Sequence, residues 1–199
     1  MFKANRGVSS SKGDIGRLRS NRCQYFLFAR EFGYNVDMIG ESNRLVERLS
    51  VLLTDKKLKI CTAESCTGGL IAKSFTDLAG SSAWFDRGFV TYSNAAKTDM
   101  LGVPESLILD YGAVSEAVAA AMASGALQHS AADLAIAITG IAGPDGGSEE
   151  KPVGTVWIAL AAKEQLVAQK YQFPGDRASI RQATLCQAIE NQLRLLELV

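Results

Sequence analysis

Histidine is almost missing from this chain: its 199 residues hold one, His129. A serine or cysteine nucleophile that relies on an imidazole base therefore has a single place to draw it from. The four cysteines, Cys23, Cys61, Cys66 and Cys186, form no CxxC pair, and with one histidine they compose no recognisable zinc site, so no metal is expected. Free thiols in a reducing cytosol are the plain reading. No apolar run approaches the length of a membrane span. Net charge is absent too, with 21 Lys and Arg against 21 Asp and Glu. Nothing in that balance draws the chain to nucleic acid or to an anionic membrane. Neither a P-loop nor the dinucleotide fingerprint GxGxxG occurs, and there is no internal repeat.

What remains is the balance of an ordinary globular domain, 47% hydrophobic and 21% charged, long enough to bury a substantial core. The charge is unevenly spread, since residues 1–40 carry seven Lys and Arg against three Asp and Glu. Residues 1–37, rich in Arg and Ser, read as a leader whose order the sequence does not decide. Met38 opens the functional domain, residues 38–199.

Apolar positions Leu45, Val46, Leu49, Leu52 and Leu53 recur at helical spacing. KLKICTAES reads as a strand, CTGGLIAKSFTDLAG as a short helix closed by Gly80, and WFDRGFVTYS as a second strand. NAAKTDMLGV predicts another short helix, closed by Gly102. Ser115 caps the Ala-rich SEAVAAAMASGALQHSA. DLAIAITG is a strand buried on both faces. TVWIALAAKEQLVAQKYQFPG predicts an antiparallel hairpin turning at KEQ. A closing helix starts at Asp176. Strands alternating with helices, plus one hairpin, imply an α/β fold whose mixed sheet is covered on both faces.

Three small-residue turns fall at predicted strand ends: TAESCTGG, TYSNAAK and TGIAGPDGG. Strand C-termini beside helix N-termini gather anionic ligands, so Gly68, Gly69 and Gly140 are candidate binding positions. Ser82 either caps a turn or acts as a nucleophile. Tyr92 and Lys97 follow it by ten and fifteen residues, and a turn after the strand either folds both back toward it or leaves Lys97 facing Asp99 or solvent on an exposed helix, the commoner outcome for such a residue. Lys97 serves as a base only if desolvation or cationic neighbours lower its pKa. Ser65 and Cys66 compete as nucleophiles, with Cys66 near a helix start that favours thiolate. Thr139 either aims its hydroxyl into the cleft or caps a turn. Arg177 and Arg181, one helical turn apart, suit a phosphate or solvent equally.

The segments AESCTGGLIAKSFTDLAGSSAWFDRGFVTYSNAAK, GAVSE and TGIAGPDGGSEEKPVGTVWIA resemble the C-terminal domain of the CinA family, over about Glu41 to Val199. They are similar to its stand-alone members of the nicotinamide-nucleotide amidohydrolase (NMN deamidase) type. The resemblance implies a three-layer α/β/α fold with a mostly parallel mixed sheet including one antiparallel hairpin strand, and a cytoplasmic location. It also implies hydrolysis of nicotinamide mononucleotide to nicotinic acid mononucleotide and ammonia in pyridine-nucleotide salvage, without a cofactor. Carried over by motif, the nucleophile falls on Ser82, the assisting tyrosine on Tyr92 and the base on Lys97. Ser65, Thr139 and Arg177 fall at positions associated with substrate. The partner expected is the nucleotide alone, with no nucleic acid and no membrane, and a homo-oligomer stays open. The domain preceding this unit in longer relatives is not expected within residues 1–40. The alternative is a nucleotide-binding or regulatory module that keeps the pocket with little turnover.

Overall fold

The computed structural model describes residues 38–197. The leader read for residues 1–37 lies outside the described residues. In chain order the elements are α1 (Met38–Lys56), β1 (Ile60–Glu64), α2 (Leu70–Thr76), a 3-10 turn (Ser81–Ala83), β2 (Phe85–Val90) and α3 (Asn94–Leu101). There follow α4 (Glu105–Tyr111), α5 (Glu116–Gln128), β3 (Leu134–Gly140), β4 (Thr155–Ala162), β5 (Gln165–Gln172) and α6 (Arg177–Glu197).

The strands form one sheet in the order β2-β1-β3-β4-β5. β1 pairs in parallel with β2 and β3, whereas β3–β4 and β4–β5 are antiparallel. Only β4 runs against the rest, which places the C-terminal ends of β1, β2 and β3 along one edge. The hairpin forms where expected, as do the caps: Ser115 Oγ accepts Val118 N–H at 3.3 Å, and Asp176 Oδ1 accepts Ser179 N–H at 2.8 Å. The sequence reading passes over α4, which buries only Ile108 and has no side-chain cap. Seven residues with one anchored position leave almost no periodic signal.

The alternation along β3 sorts the two faces of the sheet. Leu134, Ile136 and Ile138, with Ile60, Val156, Ile158 and Leu160, pack against α1, α2 and α6. Ala135 and Ala137, with Ala63, Ala159 and Ala161, face α3, α4 and α5. Each fully buried Ile or Leu contributes about 1.5–3 kcal/mol, so the first face supplies much of the drive to fold. The alanine face contributes proximity instead. Small residues on sheet and helix let α5 lie close, and α5 in turn meets α3 backbone to side: a Cβ on Gly125 would stand 2.0 Å from the Leu101 carbonyl oxygen. That contact fixes α3, the helix that carries Lys97, under the edge of the sheet.

Gly125→Ala tests this packing by sign. At an open helix position Ala for Gly gains about 1 kcal/mol. Here overpacking should cost about 1–3 kcal/mol, seen as a fall of several degrees in melting temperature. A rise in calorimetric melting temperature would show that α3 and α5 are not in backbone contact.

Candidate active site

Beyond β1 the chain turns through Ser65–Gly69 into α2. The ladder runs one residue past the strand, because Ser65 N–H donates to Ile138 O at 3.0 Å. Gly69, the N-cap residue of α2, has no side chain to offer. Glu64 supplies the missing acceptor from seven residues back. Its carboxylate, 0% exposed, takes Ile71 N–H at 3.1 Å, Ala72 N–H at 2.8 Å and the Thr62 hydroxyl at 3.3 Å. Backbone donors at a helix start, aided by its dipole, suit a carboxylate well. Gly68 and Gly69 bend the loop at φ +57° and +89°, a region that favours glycine.

The edge of β2 is tied to the same place, since Thr91 N–H donates to Glu64 O at 2.8 Å. Ser93 then starts α3 by accepting Ala96 N–H on its Oγ at 3.1 Å. One turn on, Lys97 reaches back under the sheet edge and is 1% exposed. Its Nζ donates to Ser65 Oγ at 3.0 Å and to Thr91 O at 2.9 Å, with Ser93 O at 3.5 Å. Burial holds this amine below the usual lysine pKa, with a smaller opposing influence from the Cys66 side chain.

Cys66 is not poised as a thiolate, although it lies near a helix start. Burial pushes its thiol up to about 12, and the nearby charges of Arg181 and Arg177 offset only part of that. The expectation for Ser82 is corrected. It lies exposed in the 3-10 turn ahead of β2, whereas Lys97 follows that strand. Six residues of strand at about 3.3 Å each separate them by roughly 20 Å, at opposite ends of β2. The SSAWF stretch anchors α2 instead. Trp84 is buried edge-on to Phe75 at 5.2 Å, and Phe75 meets Phe85 at 5.4 Å.

The remaining candidates divide between the cleft and its supports. Tyr92, 61% exposed, accepts Arg177 Nη2–H on its hydroxyl at 3.2 Å, and Arg177 Nη1 donates to Gly143 O at 3.0 Å. Among the described residues, no hydrogen bond joins Tyr92 to Ser65, Ser82 or Lys97. Arg181 Nη2 reaches Thr67 O at 2.6 Å. Thr139 spends its hydroxyl proton on Ala113 O at 2.7 Å, tying the α4–α5 connection to β3. Gly140 is demanded by close approach, because a Cβ there would come within 2.8 Å of Val156 and 2.9 Å of Thr155 O. His129 Nδ1 pairs with Gly125 O at 2.8 Å and takes no part in the cluster. Among the described residues no helix is long and apolar enough to cross a membrane.

The turns after β1, β2 and β3 thus meet at one edge, as the three small-residue motifs suggest. Two features escaped the sequence reading. A serine before a strand and a lysine after it cannot meet across a sheet, and that alone favours Ser65 over Ser82. The cap from Glu64 is signalled by an acid closing an apolar strand just ahead of a glycine-started helix.

Residues 42–196 match the family model described as the CinA C-terminal domain. The chain is 54% identical over 153 residues to the nicotinamide-nucleotide amidohydrolase PncC of Enterobacter agglomerans, covering 76% of this chain and 93% of that protein. To the protein of the same name from Escherichia coli strain K12 it is 52% identical over 152 residues, covering 76% and 92%. The crystal structure of competence/damage inducible protein CihA from Agrobacterium tumefaciens matches with a TM-score of 0.77 at 48% identity, over 78% of this chain and 95% of that one. With that shared fold and a family model matched from residue 42 to residue 196, the chain belongs to the CinA C-terminal domain family.

Proposed function

We propose that this protein hydrolyses the carboxamide of nicotinamide mononucleotide to nicotinic acid mononucleotide and ammonia, a step of pyridine-nucleotide salvage, with Ser65 as nucleophile and Lys97 as its base. The name carried by the relatives at 54% and 52% identity supports the substrate. The observation that carries the chemistry is the 3.0 Å contact between Lys97 Nζ and Ser65 Oγ, made by a lysine removed from solvent.

A neutral amine has two N–H bonds and one lone pair. The carbonyls of Thr91 and Ser93 accept the two N–H bonds, which leaves the lone pair for the Ser65 hydroxyl. Ser65 Oγ attacks the amide carbon as its proton passes to Nζ. The tetrahedral oxyanion that forms needs donors fixed in advance. The N–H groups of Thr67 and Gly69, which have no acceptor among the described residues, support that role. Nζ returns the proton to the departing nitrogen, ammonia leaves, and an ester to Ser65 remains. Water then gives a proton to Nζ and attacks the ester carbon. Collapse expels Ser65 Oγ, which takes the proton back from Nζ and so restores both the hydroxyl and the neutral amine, and the freed acid loses its own proton to water to become the carboxylate. Arg177 stands exposed beside Tyr92, with a guanidinium suited to the nucleotide phosphate at the mouth of the cleft.

Ammonia release from nicotinamide mononucleotide decides the assignment. Ser65→Ala and Lys97→Met should each lower kcat at least ~10³-fold, since residues acting as one unit are not additive. Ser82→Ala should stay within about twofold of the parent, as a surface change away from the site does. A large loss in Ser82→Ala with little in Ser65→Ala would reverse the roles. No turnover by the parent would leave a binding module.

The rate should also rise with pH as Lys97 loses its proton. Because burial lowers that pKa, the acid limb of kcat/KM should sit below the ordinary lysine value of about 10.4. A limb at or above that value would remove Lys97 as the base.

Phosphate binding at Arg177 should orient the amide as well as hold the nucleotide. Nicotinamide riboside should therefore be cleaved with lower kcat and higher KM than the mononucleotide, and Arg177→Ala should narrow the gap. Equal kcat/KM on both compounds would refute the anchor.

A further inference from the structure

Arg177 and Arg181 sit one turn apart at the start of α6, yet their surroundings differ. Arg177 is exposed and bonds Tyr92 and Gly143 O, whereas Arg181 is half-buried and its Nε is enclosed without an acceptor. A buried donor left unpaired is destabilising. Arg181 accepts that cost while making a 2.6 Å charge-assisted bond from Nη2 to Thr67 O, across 114 residues of sequence. That carbonyl also takes Leu70 N–H at 3.2 Å.

The far side of the same peptide leads to the nucleophile. The Thr67–Gly68 peptide is planar, with its C=O and N–H pointing opposite ways. Its carbonyl goes to Arg181, and its N–H donates to Ser65 O at 3.0 Å. Gly68, at φ +57°, gives this peptide unusual freedom to rotate if nothing holds it. The Arg181 guanidinium lies close against it, 3.9 Å from where a Gly68 Cβ would stand. Its charge also acts on the Cys66 side chain inside the same loop.

We infer that Arg181 is a positioning residue for Ser65: through the Thr67–Gly68 peptide it locks the turn that aims the nucleophile and the loop N–H groups. The guanidinium touches neither substrate nor reacting atoms. The inference rests on Ser65 being the nucleophile, and its test is chosen to separate the two.

Arg181→Met and Arg181→Lys are compared with the parent by melting temperature and by kcat and KM on nicotinamide mononucleotide and on nicotinamide riboside. Ser65 labelling by a fluorophosphonate, followed by intact mass, supplies a readout independent of either substrate. A misplaced reacting group costs up to about 100-fold. Arg181→Met should therefore lose kcat by roughly that factor on both compounds, and label more slowly by a similar factor, with KM moving much less. Arg181→Lys should recover part of the loss, because an ammonium still reaches a carbonyl, and added guanidinium ion should partly rescue Arg181→Met. A loss confined to the mononucleotide and seen in KM would make Arg181 a phosphate ligand and overturn the inference. Normal labelling in folded Arg181→Met would overturn it too. If the parent labels at Ser65 but cleaves neither compound, the substrate reading fails while the labelling rates still judge Arg181. If the parent does not label at Ser65, the inference falls with the nucleophile.

Discussion

Lys97 carries its amine to a position 1% exposed, and an ammonium taken out of water loses several kcal/mol of solvation even after its surroundings relax. A protein can offset that loss with a carboxylate or let the proton go. None of the ion pairs among the described residues involves Lys97. The nearest buried acid in sequence to Ser65, Glu64, has its oxygens committed to the start of α2. The amine is met by two carbonyls and a hydroxyl, a set that suits NH2 as well as NH3+. In a chain whose one histidine pairs with Gly125 O instead, such an amine suits the proton transfer proposed for it.

Most of the fold serves to deliver that amine. The alanine face of the sheet lets α5 lie close, and Gly125 lets α3 touch α5 through backbone. Ser93 starts α3 at the end of β2, so its fourth residue swings under the strand ends. The opposite face, rich in Ile and Leu, contributes stability and carries α6, from which two arginines reach the turns. The cap from Glu64 and the clamp from Arg181 act on either side of Ser65. The loop holding Ser65 is short and glycine-rich. Charged groups bond at both of its ends, Glu64 to the start of α2 and Arg181 to Thr67 O.

Local chemistry was legible from sequence where one residue determines it. Ser115 and Asp176 declare their caps, KEQ declares a hairpin, and the apolar run of DLAIAITG declares a strand covered on both sides. Lys97, Ser65 and Arg177 stand out because their residue types carry chemistry next to strand ends. Pairing was not legible in the same way. The motif resemblance put the nucleophile on Ser82, but the strand between it and Lys97 carries the two to opposite ends of β2. The true neighbour, Ser65, is 32 residues away and adjacent only because β1 and β2 are parallel. Burial of Lys97 was equally hidden, since a lysine on a short helix reads as solvent-facing until the helix is docked. The thiol of Cys66 illustrates the reverse: a helix start favours thiolate, but enclosure by the core outweighs it.

The account stands on the protonation of one amine, and that can be observed directly. In protein labelled with 15N and 13C at lysine, with Lys97 assigned by its loss in Lys97→Met, the side-chain resonances should titrate as a single group. The midpoint should fall below the ordinary lysine value of about 10.4 and coincide with the acid limb of kcat/KM for amide hydrolysis. A midpoint at or above that ordinary value, or one unrelated to the rate, would contradict it.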